Sequence, residues 1–121
     1  MKIVDMLWYP KCSTCQKAKA FLEENGVEIR ELRDIKTQNP SEEEIRFWKE
    51  KGNLPLKKFF NTSGILYKEM KLKEKLPTLS EEEQIALLAT DGMLVKRPIL
   101  IGEDFVLTGF RPAEWEKALE L

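Results

Sequence analysis

The chain contains two cysteines, Cys12 and Cys15, two residues apart in Cys12-Ser13-Thr14-Cys15. They fall where the apolar run Ile3-Val4-Asp5-Met6-Leu7-Trp8 ends and a helical pattern begins. This spacing points to thiol chemistry, because a second sulfur one helical turn away can attack a disulfide formed on the first. The thiolate is the nucleophile, so the ionisation of Cys12 decides its use. Lowering a thiol pKa from about 8.5 to about 6.5 raises the thiolate fraction at neutral pH from about 3% to about 75%, and needs roughly 2.7 kcal/mol. An exposed helix N-terminus gives only about 0.3–1 kcal/mol. A reactive Cys12 should therefore have cationic neighbours, of which Lys11 is local and Arg97 and Arg111 are distant. Ser13 and Thr14 bring hydroxyls and backbone donors close to the sulfur.

Positioning these groups falls to a short strand and the helix after it. The run 3–8 has the β-branched and aromatic content of a buried strand, closed by Tyr9-Pro10-Lys11. Ala18, Phe21 and Leu22 mark one face of a helix running to about Asn25, and Gly26 can take the positive φ past its end. Cys12 then stands at the helix start, where unpaired N–H groups and the helix dipole favour an anion. Residues 27–34 read as a second strand, with Val27 and Ile29 on one face and Leu32 on the other.

Capping boxes at Ser41/Glu44 and Ser80/Glu83 open two helices. The first buries Ile45 and Trp48 and ends at Gly52; the second turns Ile85, Leu87 and Leu88 inward and ends at Asp91-Gly92. Between them, residues 54–61 read as a short helix entered at Pro55, with Leu56, Phe59 and Phe60 in the core. The lysine-rich stretch 67–75 reads as a solvated helix face, with a partner-binding patch as the alternative. Pro98-Ile99-Leu100-Ile101, a turn at Gly102-Glu103-Asp104, and Phe105-Val106-Leu107-Thr108 make a hairpin. Pro112 opens a last helix with Trp115, Ala118 and Leu119 on one stripe. This order predicts an α/β chain with a thioredoxin-like fold: a mixed four-stranded sheet and an inserted helical segment.

At 121 residues the chain is expected to be one domain, 1–121. Lys and Arg number 20 against 21 Asp and Glu, a net charge of −1 with the signs interspersed, which argues against direct nucleic-acid binding. Nothing reads as a signal peptide or a membrane span, so the expected location is the cytoplasm, where a C-x-x-C pair is more often catalytic than structural. With no histidine and no third cysteine, a four-ligand zinc site is not expected, and a histidine general base is excluded. A structural disulfide would close too short a loop to stabilise much. Two inert, buried cysteines are the remaining alternative.

Tyr9-Pro10-Lys11-Cys12-Ser13-Thr14-Cys15 after the first strand, Asp91-Gly92 leading to Lys96-Arg97-Pro98-Ile99, and Arg111-Pro112 before the last helix carry a resemblance. Over nearly its whole length the chain resembles the arsenate reductase (ArsC) and Spx-like family, closest to its YffB-like branch. The resemblance implies that Cys12 is the nucleophile and that arginines hold an oxyanion. Arg97 matches one of them and Arg111 a second, while Asn61 stands where the third falls. Asparagine can donate a hydrogen bond but carries no charge, so arsenate binding is expected to be weaker than in arsenate reductases. A cis Arg97–Pro98 peptide facing Cys12 is also implied.

The implied function is that of a thiol-dependent reductase acting on a disulfide, a glutathione adduct or an arsenate-like oxyanion. It would use no bound cofactor, take glutathione or another thiol as co-substrate, and be resolved by Cys15 or by glutathione, glutaredoxin or thioredoxin. The alternative is an Spx-like, redox-switched transcriptional regulator whose partner is RNA polymerase.

Overall fold

The computed structural model describes residues 2–121, which divide into two compact units: the chain up to Asp34 together with Arg97–Leu121, and Ile35–Lys96. The first holds a four-stranded mixed sheet. Strand β1 (Ile3–Trp8) pairs in parallel with β2 (Glu28–Asp34) and antiparallel with β3 (Ile99–Ile101), which pairs antiparallel with β4 (Val106–Thr108), giving the order β2-β1-β3-β4. Parallel neighbours require a crossover, and helix α1 (Ser13–Glu24) supplies it. This is the thioredoxin-like α/β arrangement, with a helical segment inserted between β2 and β3.

One face of the sheet is closed by α1 and the last helix. Val4, Met6, Leu100, Ala18, Leu22, Val27, Trp115 and Leu119 form one buried cluster. Phe110 meets Phe21 and Trp115 edge-on, at 5.5 and 4.8 Å between ring centroids, and the Trp115 indole N–H donates to the Gly109 carbonyl at 3.1 Å. These contacts fix the helix start at Cys12 and the end of β1 against one core.

The edge strand β2 departs from simple alternation. Val4 pairs with Ile29 but Asp5 pairs with Glu31, so Arg30 is an extra residue, a bulge, whose side chain reaches back to Asp5. The bulge shifts the alternation by one and brings Leu32 opposite Met6 rather than onto the other face. At the edge of the sheet Leu32 remains 37% exposed.

In the second unit both capping boxes form. Ser41 and Glu44 open α2 (Glu42–Gly52), and Ser80 and Glu83 open the later helix Glu81–Leu88. Helix α2 ends at Gly52, as expected, and the residue after it, Asn53, takes the left-handed conformation (φ 51°, ψ 49°) that asparagine tolerates. The stretch expected as a short helix near Pro55 is a single 3-10 turn, Leu56–Phe59, after which Phe60 bridges to Val95.

Two short helices follow, α3 (Ile65–Glu69) and α4 (Leu72–Lys75), before the Ser80-capped helix, here α5. Its partners on α2 are fixed by two ion pairs, Arg46–Glu82 at 2.6 Å and Lys49–Glu81 at 2.9 Å. Leu88, not Asp91-Gly92, ends α5; Asp91 instead caps a 3-10 turn, Gly92–Leu94, by accepting the Met93 N–H at 2.8 Å. Gly92 is required there, because a Cβ would stand 1.8 Å from the Ile35 carbonyl oxygen. The closing helix of the chain, in the first unit, is α6 (Pro112–Leu119), with Trp115 and Leu119 buried and Ala118 half-buried.

Candidate functional site

Strand β1 delivers the chain into a turn at Tyr9, whose carbonyl accepts the Cys12 N–H at 2.9 Å. Cys12 is the N-cap of α1, in extended conformation (φ −90°, ψ 119°), and its carbonyl begins the helical hydrogen bonds with the Gln16 N–H at 3.0 Å. The Gln16 side chain ties the turn down by donating to the Pro10 carbonyl at 2.8 Å. Both cysteines are free thiols; Cys12 is half-buried and Cys15 is fully buried.

The two sulfurs are driven apart in acidity. Burial pushes the Cys12 thiol up, but it is outweighed by the Cys15 backbone N–H, the Cys15 thiol, the positive charge of Arg97 and the Thr14 N–H, so Cys12 ionises below the ordinary thiol range. No side-chain cap hydrogen bond is closed on the neutral thiol, so the Thr14 and Cys15 N–H groups act mainly on its anion. Burial pushes Cys15 up to about 12; the Tyr9 N–H opposes this, the Cys12 sulfur and its charge add to it, and Arg97 opposes it. That Tyr9 N–H lies 3.5 Å from the Cys15 sulfur.

Of the three cations considered from the sequence, Arg97 is the one whose charge acts on Cys12. Its Nε and Nη1 are buried and have no hydrogen-bond partner among the described residues, and its guanidinium carbon lies 5.3 Å from the centre of the Tyr9 ring. Such donors are the complement of an anion and are costly to leave bare. Lys11 is exposed; Arg111 is exposed as well and is the N-cap of α6, its carbonyl accepting from Glu114 and Trp115. Ser13 and Thr14 are exposed in the first turn of α1.

The Arg97–Pro98 peptide is cis, and the buried Pro98 accepts the Gly109 N–H at 2.8 Å. Asn61 belongs to the second unit, where its backbone N–H donates to the Leu94 carbonyl at 2.8 Å and its side chain lies 3.5 Å from the Met93 carbonyl and 3.4 Å from the Ser63 hydroxyl. Tyr9, read from the sequence only as the residue closing β1, contacts both cysteines through its backbone and Arg97 through its ring. Its place directly before Pro10 in the cysteine motif was the available signal. Among the described residues no three His, Cys, Asp or Glu side chains are grouped to hold a metal, and no helix is long and apolar enough to cross a membrane.

Fold and site together define a thioredoxin-like protein with an acidified cysteine at the start of its first helix and a buried cysteine one turn on. The chain belongs to the ArsC family, which matches residues 7–118. It is 54% identical over 110 residues to the uncharacterized protein YusI of Bacillus subtilis, covering 91% of this chain and 92% of that one. It is 25% identical to the global transcriptional regulator Spx of Staphylococcus haemolyticus, over 97% of this chain and 87% of Spx.

Solved structures give the same grouping. An ArsC family related protein from Bacteroides fragilis superposes with a TM-score of 0.91 at 60% identity, over 97% of each chain. A possible arsenate reductase from Streptococcus mutans superposes with a TM-score of 0.85 at 44% identity, over 98% of this chain and 99% of its own.

Proposed function

We propose that the chain is a thiol-dependent reductase whose Cys12 thiolate attacks an oxidised substrate: a disulfide, a glutathione adduct or an arsenate-like oxyanion. The observation that carries this reading is the division between the sulfurs, Cys12 acidified and half-exposed, Cys15 buried and held protonated. On a disulfide, the Cys12–sulfur bond forms as the substrate's S–S bond breaks and its first thiolate leaves. Cys15 then loses its proton and attacks the Cys12 sulfur, releasing the second thiolate and leaving a Cys12–Cys15 disulfide. The substrate gains two electrons and the cysteine pair loses them; glutathione, glutaredoxin or thioredoxin restores the dithiol.

Arg97, with two unpartnered buried donors, holds the negative group beside the sulfur; Lys11, Arg111, Ser13 and Thr14 are the further candidates for substrate contact, as is Asn61. With Asn61 supplying no charge, arsenate is the weaker of these substrates. No resident cofactor is invoked, and the setting is the cytoplasm, where thiol donors are abundant.

The test is the intact mass of the reduced protein after brief exposure to oxidised glutathione. Loss of two hydrogens, dependent on both cysteines, is the dithiol route; a stable glutathione adduct on Cys12 is the monothiol route, with an external thiol as resolver. An unmodified Cys12 overturns the proposal.

The likeness to Spx supports a second reading, a redox-switched regulator whose partner is RNA polymerase. Its test is capture from cell extract with oxidised and with reduced protein, and recovery of polymerase subunits in one redox state alone would favour it.

A further inference from the structure

Arg97 poses a question that the reductase reading does not answer. It carries a full charge, and its Nε and Nη1 are buried without acceptors among the described residues. Yet its charge has to stand at a fixed place to act on Cys12. The group lying against it is the Tyr9 ring, with the guanidinium carbon 5.3 Å from the ring centroid. An aromatic face attracts a cation and asks for no hydrogen bond, so it can hold a guanidinium while leaving its N–H groups free for a substrate anion. A carboxylate in the same place would use up those donors and cancel the charge.

We infer that Tyr9 is a positioning residue: its ring seats the Arg97 guanidinium beside Cys12 and thereby sets how readily that sulfur reacts. The backbone of Tyr9 does separate work. Its N–H faces the Cys15 sulfur and its carbonyl holds the Cys12 N–H, and both survive replacement of the side chain. Substitutions at position 9 therefore isolate the ring. Arg97 and Cys15 are the charged and titratable groups with the largest influence on Cys12, and neither is altered in kind by such a change. The inference rests on Cys12 being the attacking sulfur, as proposed above, and on no particular substrate.

The experiment follows iodoacetamide alkylation of Cys12 against pH in the full chain, for the wild type, Tyr9→Phe, Tyr9→Leu, Arg97→Gln and the Tyr9→Leu/Arg97→Gln pair. Tyr9→Phe keeps the ring face and is expected to retain the wild-type curve. Tyr9→Leu keeps apolar bulk without the face; its midpoint is expected to move up and its rate on the acid side to fall about threefold. In the Arg97→Gln background Tyr9→Leu should add nothing, because it acts through the guanidinium.

A Tyr9→Leu curve that overlays the wild type overturns the inference, and so does an equal shift in the Arg97→Gln background, which a loss of packing would give. Should Tyr9→Leu fail to fold, pentafluorophenylalanine at position 9 keeps the shape and reverses the ring's electrostatics; the same fall is expected, and an unchanged curve is again fatal. A wild-type Cys12 with an ordinary midpoint would sink the reductase proposal itself, an outcome distinct from these.

Discussion

Removing the Cys12 sulfur should wake Cys15. In the native pair Cys15 is pushed up from 9.0 to about 12, with burial as the largest cause and the neighbouring Cys12, as acceptor and as charge, adding to it. At pH 8 a thiol of pKa about 12 is ionised in roughly one molecule in ten thousand, against about one in ten at pKa 9, a suppression of about a thousandfold. Cys12→Ala deletes both contributions of Cys12 while leaving the burial, the Tyr9 N–H and Arg97. Because the Cys12 side chain closes no cap on α1, the helix should tolerate alanine. The Cys15 midpoint should then fall while burial keeps it above the ordinary thiol value, raising its thiolate fraction at pH 8 in proportion, about tenfold for each unit of fall.

Thiolate absorbance near 240 nm, followed from pH 8 to 12 in the wild type, Cys12→Ala and Cys15→Ala, separates the two sulfurs. Superimposable Cys15 titrations with and without Cys12 would refute the coupling, and a wild-type Cys15 that titrates near 9 would refute the burial argument. A substrate sulfur bonded to Cys12 also removes its charge, so the same relief would free Cys15 to attack at that moment and not before.

Other perturbations test the scaffold. Gly92→Ala drives a Cβ to 1.8 Å from the Ile35 oxygen and 2.7 Å from its carbonyl carbon, backbone atoms that cannot turn aside. It should cost about 3 kcal/mol, read from urea denaturation, and a loss under about 1 kcal/mol would contradict the packing described. Ser80→Ala removes the acceptor of the Glu83 N–H at 3.1 Å and should cost about 1 kcal/mol, again by urea denaturation. The Ser80 N–H and side chain hold the exposed Glu83 carboxyl below its ordinary 4.5, so its contribution is present at neutral pH, starts to decline below about 4.5 and is lost as pH falls through the depressed value. Glu83→Gln should therefore destabilise at neutral pH and make no difference once the carboxyl is fully protonated.

What the sequence made legible was local. Cys12 at a helix start, the two capping boxes and the hairpin strands are set by residues within a few positions of one another, and each appears in the structure. The end of α2 at Gly52 was legible too, although the left-handed residue that closes it is Asn53. Asp91-Gly92 looked like a helix stop; it is a capped turn, pressed so close to Ile35 that only glycine fits. Leu32 was placed on the wrong face because a bulge depends on the pairing of two strands and leaves no mark in one of them. In the same way Lys11, the cation nearest in sequence, is exposed, whereas distant Arg97 supplies the charge and rests on a tyrosine that spacing alone did not single out.

The bulge at Arg30 has a further consequence. As an edge, β2 offers a row of backbone N–H and C=O groups to any strand laid alongside, the usual route by which sheets of separate molecules zip together. Here the row is broken in register by Arg30, and Glu28, Arg30, Glu31, Arg33 and Asp34 put five charges into seven residues. An incoming strand would have to desolvate those charges to complete a ladder that no longer has even spacing. The irregularity that obscured the sequence pattern is thus a barrier to aggregation along that edge.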